Sequence, residues 1–74
     1  IFTRVENAVT IKQIEKIVEE KLKPREKTVM NLRYGLNGES AHTQLEVAAI
    51  MDISRSYVSR IEKKAMAKIS EFIL

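Results

Sequence analysis

The stretch Thr43-Gln-Leu-Glu-Val-Ala-Ala-Ile-Met-Asp-Ile-Ser-Arg-Ser-Tyr-Val-Ser-Arg-Ile-Glu62 decides the fold, because it divides into two short helices around a tight turn. Thr43 and Glu46 have the capping-box spacing, in which the hydroxyl accepts from the third amide of the helix and the carboxylate reaches back to the cap. Val47, Ala48 and Met51 then share one face, and Ala48 supplies the small side chain that two steeply crossing helices need at closest approach. Asp52 falls in the turn, at a backbone position expected to be left-handed, which Asp tolerates better than most residues. Ser54 caps a second helix predicted over residues 55–72. Its Val58, Ile61, Ala65, Ile69 and Phe72 point to the core, and Ser56, Ser59, Arg60 and Lys63 lie on the opposite face. Residues 43–72 therefore read as a helix-turn-helix whose second helix suits the major groove of DNA.

Working outward, Thr10 and Gln13 form a second capping box ahead of Ile11, Ile14, Ile17, Val18 and Leu22, which predicts a helix over 11–22. Pro24 fits the first turn of another helix, where a missing amide hydrogen costs nothing, and Glu26 complements the positive end of its dipole. Val29, Leu32 and Leu36 continue a buried stripe, and Gly35 ends this helix, predicted over 24–34, in a left-handed conformation. Leu36 to His42 then form a polar loop. Residues 1–9 carry a further box, Thr3 to Glu6, and read either as a preceding helical turn or as an arm. The expectation is an all-α fold of about four helices.

The chain has 74 residues, which fits one small domain. It has no cysteine, so no disulfide or thiolate metal site holds it together, in keeping with a reducing cytoplasm. It has no apolar run of the ~20 residues that span a bilayer. The absence of a signal sequence and of an initiator Met at Ile1 leads us to expect a piece of a longer protein. Its formal net charge is +3, and all of that excess lies late in the sequence. Residues 1–53 balance, whereas Arg55, Arg60, Lys63, Lys64 and Lys68 outnumber Glu62 and Glu71 after Ser54. A basic stripe on one helix is an electrostatic footprint for phosphates, although lysines complementing a helix dipole give the same pattern.

On that helix Arg60 is the leading base reader, since a guanidinium can donate two hydrogen bonds to guanine. Ser56 and Ser59 are short enough to let the helix approach and to contact a base or a backbone oxygen. Arg55, Lys63, Lys64 and Lys68 are assigned to phosphates, with Lys68 lying toward the core side of the wheel. Tyr57, between the two faces, reads as a core-edge aromatic ahead of a DNA contact. Catalysis is not expected, because the single His42 lies in a loop without a nucleophile or acid–base partner, and the same isolation argues against a metal or cofactor. No heptad seam is present, so a monomer is expected.

Arg25-Glu26, Leu32-Arg-Tyr-Gly-Leu36, Thr43-Gln-Leu-Glu-Val-Ala48 and Ile53-Ser-Arg-Ser-Tyr-Val-Ser-Arg-Ile-Glu-Lys63 resemble region 4 of bacterial RNA polymerase sigma factors. The resemblance covers residues 22–69, and Ser54 to Glu62 are most similar to the sporulation-type members. It implies a winged-helix-like, sigma region 4 type of fold. The expected role is that of a cytoplasmic, nucleoid-associated transcription initiation subunit of bacteria, binding the minus-35 element of double-stranded promoter DNA and the beta-subunit flap of core RNA polymerase. By position, Arg55, Ser56, Ser59 and Arg60 match the family's promoter-contacting stretch, and Lys63 and Lys64 its basic continuation. Primary sigma factors typically have Glu in place of Ser56 and Gln in place of Arg60, so a different base preference is expected. The competing reading is a protein-interaction module held by the flap or by an anti-sigma factor, with DNA binding secondary.

Overall fold

The structure, a computed structural model, describes residues 10–73. Four helices follow one another, α1 (Ile11–Lys21), α2 (Pro24–Tyr34), α3 (Gln44–Met51) and α4 (Arg55–Ile73). They match the predicted boundaries to within one residue. The alternatives for residues 1–9 lie outside the described residues.

Local chemistry sets each boundary. The Gln13 amide donates to Thr10 Oγ1 at 3.2 Å and the Thr10 amide to Gln13 Oε1 at 2.8 Å, which closes the first capping box. At α3 the Glu46 amide donates to Thr43 Oγ1 at 3.1 Å and the Thr43 amide to Glu46 Oε1 at 2.9 Å. The Tyr57 amide donates to Ser54 Oγ at 3.1 Å, so Ser54 caps α4 as expected. Gly35 ends α2 at φ 64°, and a side chain there would also meet the Ala41 amide nitrogen at 3.1 Å. Asp52 ends α3 at φ 57° and ψ 48°, and the amides of Asp52 and Ile53 both return to the Ala48 carbonyl.

Helix α4 packs against the other three helices and divides the interior into two apolar clusters. Its first half places Val58 and Ile61 against Val29 and Leu32 of α2 and Val47 and Ala48 of α3. The second half places Ala65 and Ile69 against Ile14, Val18 and Leu22 of the α1 side, Met30 of α2, and Leu36. Ala48 is buried at the α3–α4 contact, where a larger side chain would force the helices apart. Phe72 departs from expectation. Helix α4 has 19 residues against 11 in α1, its last turn overhangs, and Phe72 stays half exposed with Lys21 Nζ 5.2 Å from its ring centroid.

Each cluster is accompanied by one buried carboxylate. Glu62 accepts from Arg33 Nε at 3.0 Å, Tyr34 Oη at 2.6 Å and Gln44 Nε2 at 3.0 Å, so a single side chain of α4 holds α2 and α3. Glu26 accepts from the Lys23 amide at 3.0 Å and from Lys68 Nζ at 2.9 and 3.1 Å, which ties the start of α2 to the second half of α4. Burial pushes both carboxyls up, but their hydrogen bonds and neighbouring cations outweigh it, and both lie below the ordinary carboxylate value.

Candidate nucleic-acid interface

With 100° between successive residues, burying Val58, Ile61, Ala65 and Ile69 turns Ser56, Arg60, Lys63 and Ala67 outward on a single stripe. All four are exposed. Ser56 sits in the first turn of α4, where the helix dipole favours an approaching phosphate, and its Oγ lies 3.4 Å from Ser54 Oγ. Arg55, the first residue of the helix, is exposed beside it.

Two grooves flank the stripe. On the α3 side, Gln44, Ser59, Glu62, Lys63 and Met66 line a shallow depression of about 260 Å³. Ser59 is half-buried there, beside Gln44 as Glu62 holds it. On the α2 side, Lys23, Arg25, Tyr57, Arg60 and Lys64 line a larger groove of about 340 Å³, with Glu26 and Ile61 at its floor. Four cationic side chains thus converge between the start of α2 and the first half of α4.

The sequence reading missed Lys23 and Arg25. Summing charge over residues 1–53 gave zero, and only the fold places these two cations, some 35 positions away in sequence, beside Arg60 and Lys64. Tyr57, 38% exposed, lines the edge of the same groove above the buried Ile61. Its hydroxyl accepts from Arg25 Nη1 at 3.3 Å, and the guanidinium lies 5.5 Å from the ring centroid.

The inward-turned cations behave differently from those on the stripe. Arg33 and Lys68 are paired with the two buried glutamates. Lys68 was assigned to a phosphate from sequence, but its ammonium is bound to both oxygens of Glu26 and leaves the outward face to Lys63 and Lys64. Among the described residues, Arg55, Arg60, Lys63 and Lys64 have no carboxylate within ion-pair distance. Nor do the described residues hold a cluster of three metal-ligating side chains or a helix long and apolar enough to cross a membrane. The His42 amide donates to the Leu32 carbonyl at 2.7 Å, which fixes the loop entering α3.

Comparison with known proteins agrees with this arrangement. The chain is 40% identical over 73 residues to the RNA polymerase sigma-E factor of Clostridium acetobutylicum, covering 99% of the chain and 31% of that protein. It is 48% identical over 64 residues to the RNA polymerase sigma-28 factor of Bacillus thuringiensis subsp. kurstaki, covering 82% and 27%. Against the RNA polymerase sigma-K factor of Bacillus subtilis it is 52% identical over 48 residues, covering 65% and 16%. The chain thus spans less than a third of the length of each of these relatives. No solved structure matches it at a significant level. The family described as Sigma-70, region 4 matches residues 20–71, from the last two residues of α1 through nearly all of α4, and the chain belongs to that family.

Proposed function

We propose that this chain reads the minus-35 element of promoter DNA as the fourth region of a sigma factor, directing RNA polymerase to promoters in the bacterial cytoplasm. The observation that carries this reading is the outward stripe of α4, whose Arg60 and Lys63 pair with no carboxylate among the described residues, set against the paired Arg33 and Lys68. Cations that no carboxylate neutralises are available to displace counterions from a duplex. Arg60 reads a base edge, Ser56 and Ser59 allow close approach, and Arg55, Lys63 and Lys64 hold phosphates. Lys23 and Arg25 extend the backbone contacts along the α2 groove. The sigma-E and sigma-K names among the relatives support a sporulation-type member. As a monomer the domain borrows affinity from the polymerase to which its flap contact tethers it. The domain performs no catalysis.

Selection from a randomised duplex pool at two salt concentrations tests this reading, with Arg60→Ala and Lys63→Ala alongside. One short motif should be enriched, Arg60→Ala should relax one position of it by about 1–3 kcal/mol, and Lys63→Ala should weaken all duplexes alike. With about five phosphates neutralised, log affinity should fall with log salt at a slope near −0.9 per phosphate. Loss of all sequence preference in the unmodified chain, with polymerase flap binding retained, would replace this reading by the interaction module.

A further inference from the structure

Helix α3 is apolar nearly all the way round, yet the protein covers only one side of it. Six of its eight residues are apolar, but only Val47 and Ala48 are buried, with Met51 packed partly against them. Leu45 is 67% exposed, Ile50 56%, and Ala49 lies exposed between them. A helix that is hydrophobic on every side belongs in a fully covered environment. The neighbouring α4 obeys the opposite rule, since its outward face is Ser56, Arg60 and Lys63. The exposed side of α3 is therefore short of a partner, and the fold of this chain leaves no space in its own core for that side.

We propose that the outer face of α3 docks an amphipathic helix of another protein, one that carries lysine or arginine beside its apolar stripe. At 100° per residue Ala49 and the exposed Glu46 lie between Leu45 and Ile50, so a second helix can cross at Ala49 at the short end of the usual interaxial range, about 8 Å, with Leu45 and Ile50 on either flank and the Glu46 carboxylate on the same face. The charge of the site selects the partner. From Thr43 to Ile53 the only charges are Glu46 and Asp52, both acidic and both exposed. A second copy of the chain fits poorly, because its α3 would bring the same acids face to face. Its basic α4 has its apolar side buried against the other helices. An eight-residue helix is also only about 12 Å long, well short of the roughly 800 Å² per partner of a stable dimer. A contact of this size is weak alone and works when the partner is already held nearby, on the same DNA or the same assembly.

The test uses the full chain, isotopically labelled, and two 18-residue probe peptides with the same leucine stripe, one flanked by lysines and one by glutamates. The lysine peptide should shift the amides of Leu45, Ala49 and Ile50. Its affinity should drop tenfold or more in Leu45→Gln/Ile50→Gln, and at least threefold in Glu46→Gln, where Gln still completes the capping box. Both variants change exposed side chains, so an unchanged melting temperature verifies the fold. Because the chain as a whole is +3, nonspecific attraction favours the glutamate peptide, which makes a preference for the lysine peptide diagnostic. Equal or tighter binding of the glutamate peptide at α3, shifts centred on Ile11 or Phe72, or unchanged binding by the double variant would each overturn the proposal. Self-association of the chain through Leu45 and Ile50 would overturn it too, by naming a second copy as the occupant.

Discussion

The two ends of α4 are built differently. The second half, with α1 and the middle of α2, is a scaffold held by aliphatic packing around Ile69 and by one ion pair, Glu26 with Lys68. The first half, with α3 and the end of α2, carries an apolar cluster of its own, but its carboxylate gathers three donors from two other helices. Hydrophobic contact is non-directional and tolerates small rotations, whereas a carboxylate shared by a guanidinium, a phenol and an amide admits few arrangements. The comparison teaches that the scaffold supplies stability, and that the Glu62 network fixes the angle at which α3 and α4 present the basic stripe.

The largest effect that sharpens this contrast is expected from Ile69→Ala. The side chain is fully buried, and its loss should cost about 2–5 kcal/mol, a large share of the stability of so small a domain. Chemical denaturation measures that loss. Duplex affinity, corrected for the folded fraction, should stay the same if the scaffold only stabilises.

Glu62→Ala comes next and should behave in the opposite way. It removes the carboxylate that Arg33, Tyr34 and Gln44 share, at a cost of about 3 kcal/mol, toward the low end for orphaning a buried ion because Arg33 keeps some water and its bond to the His42 carbonyl. Duplex affinity of the folded fraction should fall as well. An unchanged affinity would remove the distinction between the two halves.

Acid should attack both halves. Each glutamate has its carboxyl held below the ordinary 4.5, so its contribution is fully present above that value and is lost as pH falls through the lowered one. Denaturation midpoints should therefore decline below about pH 4.5, and Glu26→Gln should flatten part of that decline. An identical acid limb in Glu26→Gln would show that the Lys68 pair contributes nothing.

Tyr34→Phe is a smaller perturbation, expected to cost about 1.5–2 kcal/mol, toward the low end for one hydrogen bond to a charged acceptor because the phenol is only part-buried. In the unmodified chain, burial and then the hydrogen bond to Glu62 push the Tyr34 phenol up to about 12. Its contribution is present below 10, the ordinary phenol value, and is lost as pH rises through about 12, so ultraviolet titration should find a late-ionising tyrosine that Tyr34→Phe removes. Arg60→Ala should have the least effect on stability, within about 0.5 kcal/mol, because the side chain is exposed and pairs with no carboxylate among the described residues.

Much of this fold was legible because its signals are local. The Thr10 and Thr43 capping boxes, Pro24, Gly35 and Asp52 each act within about four residues of themselves, and each set a boundary where expected. The family was legible for a related reason, since its motifs are short runs around those same turns. Contacts that depend on folding were not. Glu62 meets Arg33 across 29 positions and Glu26 meets Lys68 across 42, and no periodicity in either helix announces such a pair. That distance explains why Lys68 looked like a phosphate contact and why Lys23 and Arg25 were overlooked. Phe72 kept the helical spacing of the core residues, but spacing alone does not say where the neighbouring helices stop.

The most direct test of the contrast between the two halves is a titration of the isotopically labelled chain with the duplex enriched by selection, following backbone amides. The expected result is saturable shifts at Ser56, Ser59, Arg60 and Lys63, with smaller ones at the start of α2 and at Gln44, while Ile14, Val18 and Ile69 stay still. Shifts centred on α1 and the second half of α4, with the stripe unmoved, would contradict the account.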